Sequence, residues 1–200
     1  MVERQLRRRG IRDDRVLTAM STVPRELFLA PHAREHAYRD GAVAIGEGQT
    51  MSQPWVVACM TALLGLAGDE RVLEVGTGSG YGAAVLSLCC GQVVTIERHA
   101  TLATRAATIL DMLGFDNVAV LTGDGARGAP ESAPFDAIVL TASAEHEPPG
   151  ALFEQLRPHA TLVCPVKRVD GEYLMRFRDG AQEDVVPVRF VPLVHAGSDG

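Results

Sequence analysis

From Arg71 onward, short β-branched apolar runs alternate with longer segments of helical period, the pattern of a largely parallel sheet covered by helices. Strands are predicted at 71–75, 92–97, 118–122, 135–141 and 161–166. Between the second and third, Leu102, Ala106, Ile109, Leu110 and Leu113 recur at helical spacing, and Gly114 supplies the stop. After Lys167 two runs, 173–177 and 185–191, flank an Asp179-Gly180 turn, which predicts an antiparallel hairpin at the end of the sheet. Ahead of the sheet, residues 15–20 read as a helix. Residues 24–49, rich in Gly, Pro and His and without a period, read as loops and short turns. Ser52 is expected to N-cap a helix with Pro54 in its first turn and the apolar run 55–66 behind it. The expected class is α/β, a mostly parallel sheet with helices on both faces and an antiparallel C-terminal hairpin. One domain is expected, with a helical and loop cap over 1–66, the sheet over 67–194 and a tail over 195–200.

Composition narrows the function. The net charge of −6 argues against a nucleic-acid binder, which needs clustered Lys and Arg to displace counterions. The one basic cluster, Arg4 with Arg7, Arg8, Arg9 and Arg12, reads as the solvated face of an N-terminal helix. Cys59, Cys89, Cys90 and Cys164 form no CxxC pair and lie in apolar runs, so they are read as small buried hydrophobes suited to a reducing cytoplasm. No apolar run approaches bilayer length and none resembles a signal peptide, so a cytoplasmic protein without membrane attachment is expected. His32 and His36 are the one histidine pair at helical spacing; a solvated loop is expected there, and no metal.

The sharpest local signal is Glu74-Val75-Gly76-Thr77-Gly78-Ser79-Gly80, where a buried strand gives way to a helix. Alternating glycines there let the backbone take positive φ and approach a ligand closely. Spacing alone leaves the ligand open, because residues 78–83 also satisfy the dinucleotide pattern GxGxx(G/A), with Glu97 at ribose distance. Glu74, two positions before the first glycine, tips the choice. A carboxylate there would repel a pyrophosphate and attract the ammonium of S-adenosylmethionine. Asp124, in Gly123-Asp124-Gly125 after the third strand, supplies a third carboxylate; with Glu74 and Glu97 it would line the C-terminal edge of the sheet, where open α/β folds bind ligands.

Further stretches carry a resemblance that covers nearly the whole chain: MVERQL at 1–6, VPR at 23–25, GEGQTMSQP at 46–54, VLEVGTGSGY at 72–81, GDG at 123–125, APFDAI at 133–138 and FVPL at 190–193. The chain resembles the protein-L-isoaspartate O-methyltransferases. The glycine loop is common to many methyltransferases, whereas GQTxSxP and FVPL are particular to this family. The resemblance implies a Rossmann-like methyltransferase fold with S-adenosylmethionine as cofactor and S-adenosylhomocysteine as its product. It also implies a cofactor site of Glu74, Gly76, Thr77, Gly78, Ser79, Gly80, Glu97, Asp124, Gly125 and Thr141. Within it Glu74, Gly76 and Gly78 would border the methionine end, Glu97 would hold the ribose hydroxyls, and Asp124 with Gly125 the adenine. Thr50 and Ser52 would sit beside the transferring methyl, the Ser52 hydroxyl binding the acceptor carboxylate, and Val191, Pro192 and Leu193 would form a peptide-binding wall. Some positions depart from the family pattern: Gly82 replaces a customary Gln, His159-Ala160 replaces paired glycines, Lys167 replaces a Gly, and Gly150 is an insertion.

An aspartyl-type carboxyl with a pKa near ~3.9 is ionised at neutral pH, so the chemistry needs no general base. The expected acceptors are isoaspartyl proteins or peptides. The family comparison implies that the ester then cyclises to a succinimide, whose hydrolysis regenerates some aspartate. A monomer is expected. The competing readings are the same chemistry on an aspartate of a dedicated biosynthetic peptide, an NAD-dependent oxidoreductase, and a silent cofactor binder. Relatives of the first kind carry an extra C-terminal domain, and the chain's end soon after Leu193 favours repair.

Overall fold

A computed structural model describes residues 1–194; the expected tail at 195–200 lies outside them. In chain order the elements are helix α1 (Asp14–Thr22), strands β1 (Val43–Gly46) and β2 (Gln49–Met51), α2 (Pro54–Leu64), β3 (Arg71–Val75), α3 (Tyr81–Ser87), β4 (Gln92–Glu97), α4 (Ala100–Met112) and β5 (Val118–Thr122). Then follow β6 (Phe135–Leu140), β7 (Ala144–Glu145), α5 (Gly150–Phe153), β8 (Leu156–Arg168), β9 (Gly171–Arg178) and β10 (Ala181–Pro187).

The main sheet runs β10-β9-β8-β6-β3-β4-β5, with β7 pairing beside β8. Strands β8, β6, β3, β4 and β5 are parallel, while β9 and β10 run antiparallel. The chain moves outward from β3 through β4 to β5 and then returns to the opposite flank of β3 with β6. That reversal opens a crevice at the C-terminal ends of β3 and β6, as in other doubly wound sheets.

Period-two alternation sorts the strand residues between two cores. Val72, Val93, Ala137, Val139 and Val163 face a large cluster with residues of α1, α2, α3 and α4. Leu73, Val75, Val94, Ile96, Ile138, Leu140, Leu162 and Cys164 face a smaller one. Helix α2 is apolar on every side because it is sandwiched, packing on α1, β6 and β8. Helices lie on both faces as expected, but unequally: among the described residues the second face carries one-turn α5 and the short 3-10 turns Gly125–Arg127 and Pro130–Ser132. At the edge strand β5 this thin cover leaves Leu121 exposed.

The structure adds elements to the stretch read as loops: 3-10 turns at Arg25–Phe28 and Pro31–His36, and the antiparallel hairpin β1–β2. Strand β8 is longer than its apolar stretch at 161–166, because its polar first residues lie at the exposed start of the strand. The C-terminal hairpin turns at Asp179-Gly180 as expected, but β10 ends at Pro187 and not at 191. The basic N-terminal residues are exposed, on a π-helical turn Val2–Leu6 and a 3-10 turn Arg7–Arg9. All four cysteines are free and buried, and burial pushes the thiols of Cys59 to about 11 and of Cys89 and Cys90 to about 12. Among the described residues no His, Cys, Asp and Glu cluster is grouped to hold a metal, and no helix is long and apolar enough to cross a membrane.

Candidate active site

The loop between β3 and α3 holds Gly76, Gly78 and Gly80 at φ of 99°, 53° and 90°, all left-handed. At Gly76 a Cβ would collide with the Thr141 hydroxyl. That hydroxyl donates to the carbonyl of Gly76 (2.6 Å) and to that of Val75 (3.1 Å), tying the end of β6 to the loop. Gly80 serves differently from its expected place in the cofactor site. It does not border the cleft but faces α4, where a Cβ would stand 3.2 Å from that of Ala106. The hydroxyls of Thr77 and Ser79 are engaged by the protein itself, Thr77 with Thr95 (2.7 Å) and Ser79 accepting from the Tyr81 N–H (3.3 Å).

Glu74 lies on β3 directly across from Thr95 on β4, so the two share a face, and the Thr95 hydroxyl donates to its Oε2 (2.6 Å). The side chain is almost wholly buried. Burial pushes its carboxyl up to about 8, with the nearby Glu97 adding to the rise and the Thr95 hydrogen bond opposing it. Gly82 explains itself here. A Cβ at that position would collide with Glu74 Oε1, so glycine there leaves room for this carboxylate. Glu97 closes β4 and staples the loop, its Oε2 accepting from the Gly78 N–H (2.8 Å) and its Oε1 from the His99 N–H (2.9 Å).

These groups border a solvent-open cleft. Of the residues singled out from sequence, Thr50, Ser52, Glu74, Gly76, Thr77, Gly78, Ser79, Glu97, Gly125, Thr141, Val191, Pro192 and Leu193 line it. Asp124 does not; its carboxylate accepts from the Ala126 N–H (3.0 Å) and caps the 3-10 turn that positions Gly125. Hairpin β1–β2 brings in Thr50 and Ser52. It turns at Glu47-Gly48 with positive φ at both, and Glu47 accepts from the Thr101 hydroxyl on α4 (2.7 Å). Ser52 is not the N-cap of α2, contrary to expectation. Gln53 is, with no side-chain capping bond, and Ser52 itself borders the cleft. Val191 and Leu193 are anchored by backbone bonds to Ser143, which accepts from the Leu193 N–H and donates to the Val191 carbonyl (both 2.8 Å).

Sequence reasoning passed over several residues that the fold brings to the cleft, among them Tyr81, Arg98 and His99. Tyr81 follows the glycine loop directly and Arg98-His99 follows Glu97, so proximity to those motifs was the available signal. Thr95, the hydrogen-bond partner of Glu74, needed the register between β3 and β4.

A doubly wound sheet with a glycine loop after its central strand and buried carboxylates closing that strand and the next defines a Rossmann-like methyltransferase. Likeness to a precorrin-6y C5,15-methyltransferase from Geobacter metallireducens (TM-score 0.53, 17% identity, 64% of this chain and 69% of that one) bears on the fold alone. The family model for protein-L-isoaspartate(D-aspartate) O-methyltransferase matches residues 1–198, and the chain belongs to that family. It is 50% identical over 191 residues to a protein-L-isoaspartate O-methyltransferase of Roseiflexus castenholzii, covering 94% of this chain and 87% of the relative. A homologue of the same name from Azorhizobium caulinodans is 50% identical over 194 residues, covering 94% and 89%. Among solved structures, a protein-L-isoaspartate O-methyltransferase superposes with a TM-score of 0.86 at 30% identity, covering all of this chain and 67% of that one. Another, from Plasmodium falciparum in complex with S-adenosyl-L-homocysteine, gives 0.82 at 26% identity and 96% coverage of both chains.

Proposed function

We propose that this methyltransferase transfers the methyl group of S-adenosylmethionine to the free carboxylate of L-isoaspartyl residues in damaged proteins or peptides, as a cytoplasmic monomer that needs neither nucleic acid nor membrane. The observation that carries the reading is the convergence on one cleft of the glycine loop, Glu74 and Glu97 with Thr50, Ser52 and the 191–193 wall. The residues fit the cofactor. Gly76 and Gly78 form a cradle that a Cβ would narrow, Glu74 offers an acid to an ammonium, and Glu97 offers one to ribose hydroxyls.

When bound, S-adenosylmethionine supplies an electrophilic sulfonium methyl. The chain's own task is placement. Thr50 and Ser52 orient an acceptor carboxylate that is already ionised, so no side chain has to remove a proton. Val191–Leu193 hold the flanking peptide, so that the two reactants are held in line. Assay with labelled S-adenosylmethionine and matched isoaspartyl, aspartyl and aspartate-free peptides tests the reading. Base-labile label is expected in the isoaspartyl peptide alone, and equal labelling of the aspartyl peptide would overturn it.

With α2 capped at Gln53, Ser52→Gly is expected to leave the melting temperature near the parental value and to raise the KM for isoaspartyl peptide about tenfold, the value of roughly one hydrogen bond to a charged group. Cofactor affinity should stay unchanged. Parental kinetics in the folded variant would remove Ser52 from the acceptor site.

A further inference from the structure

Arg25 opens a 3-10 turn just after Pro24, and its side chain has no exposed surface. Nε donates to the Ala37 carbonyl (2.6 Å) and Nη2 to the Ser52 carbonyl (2.5 Å), while Nη1 is buried with no hydrogen-bond partner among the described residues. The guanidinium lies 4.6 Å above the centre of the Tyr81 ring, and Phe28 packs edge-on to the same ring (5.7 Å between centroids). Among the described residues no carboxylate forms an ion pair with it, and the two phenols near it, Tyr81 and Tyr38, stay neutral at pH 7 because burial raises both above the ordinary value. Burial draws its basicity below the ordinary value, yet a guanidinium starts so far above neutral pH that it remains a cation.

A buried cation without a counter-ion is costly, and an apolar side chain of similar volume would be cheaper at a position with a structural role only. Its surroundings give the charge a use. Ser52 and Tyr81, the two residues it touches most closely on this side, both border the cleft, so the guanidinium stands one residue behind the cleft wall. The same cleft carries Glu74 and Glu97, and the acceptor it has to admit is itself a carboxylate. Arg98 and His99, the basic residues of the lining, follow Glu97 at the end of β4, in the part of the cleft assigned to the ribose.

We propose that Arg25 is a positioning residue of the acceptor subsite: its Nη2 fixes the backbone of Ser52 so that the hydroxyl borders the cleft, and its uncompensated charge draws the acceptor carboxylate to that hydroxyl. The inference rests on the assignment of Ser52 to the acceptor.

The test compares an isoaspartyl peptide, as substrate, with the same peptide carrying isoasparagine, its neutral amide, as a competitive inhibitor. For Arg25→Gln, the KM of the isoaspartyl peptide should rise about tenfold while the inhibition constant of the amide peptide and the affinity for S-adenosylhomocysteine stay within about twofold. That collapse of carboxylate-over-amide preference is a readout that a merely structural role would not move. Arg25→Lys, which keeps the charge, should hold the preference within about threefold of the parent. Equal weakening of both peptides, or a parallel loss of cofactor affinity, would overturn the proposal. If Arg25→Gln does not fold, Arg25→Lys decides alone, a parental preference supporting the proposal and a lost one ending it. Failure of both to fold assigns Arg25 to stability and also ends it. A parental enzyme that does not methylate the isoaspartyl peptide would instead refute the function proposed above.

Discussion

Replacing Glu97 with alanine is expected to weaken binding of both S-adenosylmethionine and S-adenosylhomocysteine by about ten- to a hundredfold, the value of roughly 1.5 to 3 kcal/mol for lost hydrogen bonds to a charged group. Two effects combine. The carboxylate is the proposed acceptor for the ribose hydroxyls, and it also anchors the glycine loop through the Gly78 N–H (2.8 Å) and the turn after β4 through the His99 N–H (2.9 Å). A 2′-deoxy analogue of S-adenosylhomocysteine separates them. Parental protein should bind the analogue more weakly than the natural product, whereas Glu97→Ala should bind both alike, because the hydroxyl then has no carboxylate to meet. A variant that loses the same affinity for both ligands as the parent discriminates would leave Glu97 as a loop anchor only, and unchanged calorimetric affinity would remove both roles.

Cofactor affinity should also climb steeply with pH up to about 8. Burial holds the Glu74 carboxyl near that value in the free protein, so it is mostly protonated at pH 7 and almost wholly so at pH 6. An ammonium placed against it favours the ionised form, so binding below pH 8 has to release a proton. Apparent affinity for S-adenosylhomocysteine is then reduced by the fraction ionised, about tenfold for each pH unit below 8. Calorimetry in buffers of different ionisation enthalpy should show close to one proton released at pH 7. Glu74→Gln should release none and give a flat profile from pH 6 to 8, with its loss of affinity greatest at pH 8. Gly82→Ala should flatten the profile too, because the new Cβ displaces the carboxylate from its niche beside Thr95. The sign for folding is opposite. From the ordinary glutamate value of 4.5 up to about 8, the unfolded chain ionises where the folded one does not, so this group stabilises the free fold most below that window and progressively less across it. A pH-independent affinity in the parental protein would place the ammonium away from Glu74.

What the chain declares by itself is whatever short-range patterns encode. Alternating and continuous apolar runs marked β3, β4, β5 and β6 to within a residue, because β3, β4 and β6, buried between two layers, must be apolar along most of their length, and the edge strand β5 is rich in β-branched residues. The glycine loop was legible because positive φ at close quarters leaves few alternatives to glycine, and Glu74 and Glu97 were legible because each lies at or next to the end of a strand on the ligand-bearing edge. The GQTxSxP and FVPL stretches pointed to the family.

Tertiary structure decided the rest, wherever a residue's partner is remote in sequence. Hairpin β1–β2 is too short for its alternation to stand out in the sequence, yet it buries Val43, Ile45 and Met51 in the core and reaches Thr101 on α4 through Glu47. Gly80 proved to serve packing against Ala106, and Asp124 to cap a turn, although the motifs around them are the same as for residues that border the cleft. The reason for Gly82 lies in the rotamer of Glu74, eight positions earlier on another element. Arg25, in a stretch that reads as loops and short turns, is fully buried because Ala37, Ser52 and Tyr81 converge on it from three separate segments. Local pattern reports which side of an element meets the core, since that depends on neighbours one to four residues away. Which polar atoms meet across the core depends on chain closure over tens of residues, and no local period carries that information.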